Sequence, residues 1–147
     1  MHRPIVTLLC TLALSALLVG CGATKGPRLA NRGDGSCQDT VNGLTWRIER
    51  SETKADNMEE AQRHIARLNR GGKHTDWRLP TVYELYDLNT IFDLHQNGDC
   101  RIDREGKYWS GEKNGEGMAG AWEIAEQCDP ERHYAPAGSG YVRAVRP

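Results

Sequence analysis

The chain has no basic excess. Its 147 residues hold 19 Lys and Arg against 20 Asp and Glu, for a formal charge of −1. Without a global positive field, nucleic acid is not an expected partner. There is no P-loop, no nucleophile elbow and no HExxH run. His64, His74, His95 and His133 have no partner spacing that suggests a zinc or acid–base constellation. The expectation is therefore a protein that is not an enzyme, with no cofactor and no metal. No internal repeat is visible. Beyond residue 21 no hydrophobic stretch is long enough to cross a bilayer, so the body should be one soluble domain of ordinary size.

What is present begins at residue 5. A short basic start, His2 and Arg3, precedes an apolar run that stops at Leu18-Val19-Gly20-Cys21. The run is too short to span a bilayer comfortably and has the charged start and small-residue exit of a secretory signal. A plain secretory signal or an uncleaved helix would share those features. The ending, however, resembles a bacterial lipobox. That resemblance implies a signal peptide over residues 1–20, cleavage before Cys21, and acylation of Cys21 as the membrane anchor. One acyl chain holds only marginally, whereas three would hold firmly. Gly22 is not the Asp that tends to retain such proteins at the inner membrane, so the outer membrane is the expected address. Residues 21–32 are small, polar and aperiodic, which reads as a lipidated tether. Residues 33–147 then form the domain.

With Cys10 in the signal and Cys21 given to lipid, Cys37, Cys100 and Cys128 remain in an oxidising compartment. Spacing cannot choose among their pairings. Cys100–Cys128 is favoured because both flank expected strands, which leaves Cys37 buried or pairing between molecules.

Residues 36–49 read as a hairpin around Asn42-Gly43, with Leu44, Trp46 and Ile48 facing inward. A helix is expected over 57–69, with Asp56 as N-cap and Glu59 three residues on. Met58, Ala61, Ile65 and Leu68 make its apolar stripe, and Gly71-Gly72 should end it in the left-handed conformation. Pro80 holds Leu79 extended, and Thr81 with Glu84 opens a second helix whose apolar face is Leu85, Leu88 and Ile91. Residues 94–107 read as loop, and three short strands follow at 108–110, 121–125 and 141–146. Strands, two helices, then strands make the α+β class.

These landmarks occur in an order that resembles one family. Asp34-Gly35 and Asp39-Thr40-Val41-Asn42-Gly43-Leu44-Thr45-Trp46 resemble its opening hairpin. Gly71-Gly72, Asp76-Trp77-Arg78-Leu79-Pro80-Thr81 and Glu84-Leu85 resemble its core. Tyr108-Trp109-Ser110, Ala121-Trp122 and Tyr141-Val142-Arg143-Ala144-Val145-Arg146 resemble its closing strands. The family is the Lcl C-terminal domain, named for the C-terminal domain of a collagen-like adhesin. The resemblance implies a C-type-lectin-like α+β fold, with two helices flanking a small twisted antiparallel sheet and chain ends close together. It also implies a relative that binds sulfated glycosaminoglycans. Two cysteines common in the family are Ile65 and Ala144 here, so a packing contact is expected in place of a staple. No collagen-like Gly-X-Y segment precedes the domain.

Trp46, Trp77, Trp109 and Trp122 are expected in the core rather than as sugar-stacking platforms. Arg78 and Arg143 should pair with acidic neighbours such as Asp76 and Glu84. Arg63, Arg67, Arg70 and Lys73 form the candidate polyanion site, because guanidinium forks suit sulfate and phosphate; the alternative is a solvated helix face. Asp93–Asp99 starts like a calcium loop but has Arg104 at the twelfth position, which argues against calcium. Arg32-Gly33-Asp34 spells an integrin-type tripeptide by chance. The expected function is a non-catalytic, adhesin-like envelope module that binds a polysaccharide or glycosaminoglycan-like polyanion. The alternative is a structural or assembly lipoprotein that docks to an envelope protein.

Overall fold

A computed structural model describes residues 26–112, 115–124 and 132–147. The order is β1 (Leu29–Asn31), β2 (Ser36–Asp39), β3 (Thr45–Arg47), α1 (Met58–Gly71), α2 (Val82–Asp93), β4 (Tyr108–Trp109), β5 (Ala119–Ile124), β6 (Arg132–Ala137) and β7 (Val145–Arg146). This is an α+β fold. The one small sheet expected is two: an antiparallel β1-β2-β3-β7 sheet and an antiparallel β4-β5-β6 sheet. Both ends of the domain lie in the first sheet, at its two edges. Single bridges stitch the rest together, Arg78 to Val145, Tyr108 to Tyr141 and Ala55 to Gly140.

The two helices serve two apolar clusters. Leu85, Leu88 and Ile91 of α2 pack with Leu29, Trp46, Tyr108 and Val145. Ala61 and Ile65 of α1 pack with Trp77, Leu79, Trp109, Val142 and Ala144. Ile65 and Ala144 thus share one cluster, as expected where the family often has cysteines. Trp46, Trp77 and Trp109 are buried; Trp122 is only partly so. At Thr81 both halves of the capping box form, with Glu84 N donating to Thr81 Oγ1 and Thr81 N to Glu84 Oε2.

Several expectations are corrected. The Cys100–Cys128 pairing is replaced by a Cys37–Cys100 disulfide, whose Cα atoms are 6.1 Å apart. Cys37 lies on the inner side of β2 and Cys100 on the loop after α2. It is the packing of α2 against this sheet that brings them together, which spacing cannot report. Cys128 is outside the described residues. The tether ends earlier than residue 32: Leu29–Asn31 form edge strand β1, with Leu29 almost wholly buried. Arg28 anchors this strand with Nε and Nη2 on the buried carboxylate of Asp39, at 2.9 and 2.6 Å, and with its fork on Asp87. Those carboxylates push its pKa up. The α1 N-cap is Asn57, not Asp56; its side chain accepts from Glu60 N, and Glu60 reaches back to Asp56 N. Gly72 closes α1 in an extended rather than left-handed conformation. In the β2–β3 turn only Gly43 has positive φ, so the connection is a longer loop closed by Gly43 N to Asp39 O. Strand β6 had no sequence signal.

Candidate functional site: the basic face of α1

The apolar stripe of α1 turns Ala61 and Ile65 inward, and the 3.6-residue period then sets Arg63, Arg67 and Arg70 outward. All three are exposed, as is Lys73 in the loop that follows. They are not equivalent. Arg63 Nη1 donates to Glu59 Oε1 at 2.6 Å, and its other nitrogen lies 3.7 Å from Glu60, so its charge is largely matched. Arg67, Arg70 and Lys73 have no ion pair among the described residues. Exposed pairs such as Arg63–Glu59 contribute only about 0.5 kcal/mol to stability, so the consequence is electrostatic: the free positive charge moves to the C-terminal half of α1.

Two hollows border this face. One, of about 250 Å³, is lined by Ser51, Lys54, Glu60, Arg63, His64 and Arg67, among others. The next, of about 330 Å³, is lined in part by Asp34, Arg47, Lys73, His74 and Trp77. Burial pushes the His64 pKa down, and the positive charges of Arg67 and Arg47 push it further. His64 is thus biased toward its neutral form beside Arg67; Glu60 also lines the first hollow, and Asp34 and Glu49 the second. Arg67 Nη2 lies 3.4 Å from His64 Nδ1. An acidic group placed here would meet Lys54, Arg67 and Lys73, which carry no carboxylate partner among the described residues.

The remaining motif residues are structural. Arg78 grips Glu84 with two 2.7 Å hydrogen bonds, which fixes the Trp77–Thr81 strap to the start of α2. Burial pushes the Glu84 carboxyl up, but the hydrogen bonds from Arg78 and Thr81 outweigh it and hold Glu84 below its ordinary value. Asp76 pairs with Arg146 instead. Arg143, expected to meet a carboxylate, is buried and donates to backbone oxygens: Arg47 O at 2.9 Å, Ile48 O at 2.7 Å and Asp103 O at 2.5 Å. Burial pushes its pKa down, and the Tyr108 hydroxyl and Asp103 charge act against that shift. Trp109 Nε1 donates to Ala55 O, and Trp122 Nε1 to Val82 O, each at 2.9 Å. Leu79 is buried beside Pro80, which is itself fully enclosed. Asp93, first residue of the calcium-loop look-alike, is held by Arg104 and Arg132. Asp34 of the Arg-Gly-Asp tripeptide turns back to accept from Ser36 Oγ.

The chain matches the Lcl C-terminal domain over residues 35–146. It belongs to that family. No curated protein and no solved structure matches it, so the C-type-lectin-like relation rests on the family resemblance alone. Cys21 lies outside the described residues. Sequence reasoning missed Arg28 and the outer face of α2. Tyr83, Tyr86, Thr90 and Leu94 recur at helical spacing opposite Leu85, Leu88 and Ile91, a signal that was open to view.

Proposed function

We propose that this protein is a non-catalytic binding module of the cell envelope, anchored through acylated Cys21, whose ligand is an acidic polysaccharide carrying sulfate or carboxylate groups. The outer membrane is the proposed location. The observation that carries this reading is the set Lys54, Arg67, Arg70 and Lys73, exposed or at the mouth of a hollow and without carboxylate partners among the described residues. The adhesin kinship of the family supports it. Guanidinium groups bind such oxyanions by paired hydrogen bonds as well as by charge. A second reading, docking to an envelope protein, is favoured by the matching of Arg63 with Glu59 and Glu60, since a patterned face of both signs suits a protein partner. The test is binding of the full chain to a heparin-like sulfated polysaccharide across a salt series, with a neutral polysaccharide as control. Saturable binding that weakens with salt, and none to the control, is expected. Equal binding to both would remove the role of charge.

A further inference from the structure

Large apolar side chains stand exposed at Val41, Tyr83, Tyr86, Leu94 and Ile124. Tyr83, Tyr86, Leu94 and Trp122 line one groove of about 580 Å³ between α2 and β5. Ile124 is two residues beyond Trp122 and so lies on the same face of β5. Val41 tops the β2–β3 turn, which is tied to this side of α2 through Asn42 and Asp87. Trp122 stands edge-on to Tyr86, with ring centroids 4.8 Å apart. The charges around the groove are already matched: Asp87 holds Arg28, and Asp93 holds Arg104 and Arg132. The face therefore offers aromatic rings with polar tips and three exposed aliphatic chains, Val41, Leu94 and Ile124, and its neighbouring charges Asp87 and Asp93 are paired. That is the composition favoured at a lipid–water interface.

The path of the chain says which lipid surface. Arg28 N and Leu29 N both donate to Gln96 O, two residues past Leu94, and Thr40 Oγ1, next to Val41, donates to Arg28 O. The chain thus enters the domain at the edge of this face. Gly98 admits it: a Cβ there would come within 2.8 Å of Pro27. From Cys21 to Pro27 is six residue steps, no more than about 20 Å even when extended. Arg47, which lines the hollow it shares with Lys73, pairs with Ser36 at the far end of the β2–β3 hairpin from Val41. A domain resting on its aromatic face would therefore turn the basic face away from the bilayer.

We infer that the aromatic face formed by α2 and β5 lies against the lipid surface that holds Cys21. This rests on the reading of Cys21 as a lipid anchor. The test uses the full chain extracted with its acyl groups and reconstituted into phosphatidylethanolamine–phosphatidylglycerol vesicles with brominated acyl chains. Intact mass reports acylation, and tryptophan emission reports contact with lipid. Bromolipid should quench part of the emission. Trp122→Phe should remove most of that quenching, because Trp46, Trp77 and Trp109 are enclosed in the interior. A Tyr83→Ser, Leu94→Ser double variant, altered only at exposed positions, should reduce the quenching with Trp122 still in place. An acylated protein in the vesicles that shows no bromolipid quenching, or quenching untouched by either variant, overturns the inference and leaves the anchor intact. A mass without acyl groups overturns the anchor and the inference together.

Discussion

Helices α1 and α2 each rest an apolar stripe on the interior, yet their outer faces differ in kind. On α2 the outward residues are Tyr83, Tyr86 and Leu94, and the carboxylates beside them are held by Arg28, Arg104 and Arg132. On α1 the outward residues include Arg63, Arg67 and Arg70, and beyond Arg63 these have no acidic partner among the described residues. The interiors differ as well. The α2 side carries the disulfide and the larger cluster, whereas the α1 side is held by its helix stripe, Trp77 and Trp109. The contrast is one of charge: beside the stapled α2 face the carboxylates are held by arginines, whereas past Arg63 the α1 arginines have no acidic partner among the described residues.

The strongest way to break this comparison is to remove the staple. The Cys37–Cys100 bridge spans a sequence separation of 63 residues. On the chain-entropy account a loop of that size contributes about 4 kcal/mol. Cys37→Ala should lower stability by roughly that amount in urea denaturation, and a reducing agent should do the same to the parent protein while leaving the variant unchanged. Next comes Arg143, which joins the two sides. Arg143→Met removes the guanidinium donor from Arg47 O, Ile48 O and Asp103 O, of which Asp103 O keeps the Tyr108 hydroxyl, and a loss of about 3 kcal/mol is expected in the same assay.

Glu84 gives a smaller effect with a distinct pH signature. Its folded pKa lies below the ordinary 4.5. Its contribution is therefore present above about pH 4.5 and disappears as pH falls through the folded value. Stability curves of the parent and Glu84→Gln should be separated at neutral pH and converge in acid. Curves that stay parallel would contradict the Arg78–Glu84 account. The smallest effect on stability is expected at Arg67. Arg67→Glu changes an exposed position and should move stability by less than about 0.5 kcal/mol, measured by thermal unfolding.

Much of this was legible in the sequence because local signals agreed with the fold. The Met58, Ala61, Ile65 and Leu68 stripe and the Thr81–Glu84 capping box are each set within one turn or a few turns of chain. The parts that were not legible depend on distant partners. Strand β1 is three residues long and exists because Arg28 reaches Asp39 and Asp87. Strand β6 includes Pro136 and has no alternation; it forms as an edge strand paired along its length with β5. The disulfide was misassigned because three cysteines at unequal spacing carry no information about which helix packs under which sheet. At the candidate site the arginine spacing was visible, as were Glu59 and Glu60 one helical turn before Arg63, but the contribution of Lys54 and Arg47 comes only from the folded arrangement.

The most direct measurement compares charge reversal at two places on one helix. Binding of the full chain to a heparin-like polysaccharide at low salt should be largely lost in an Arg67→Glu, Arg70→Glu double variant. It should change little in Arg63→Gln, where the lost charge was already matched by Glu59 and Glu60. Equal loss in both, or binding that survives the double reversal, would contradict the claim that the unmatched half of α1 is the ligand face.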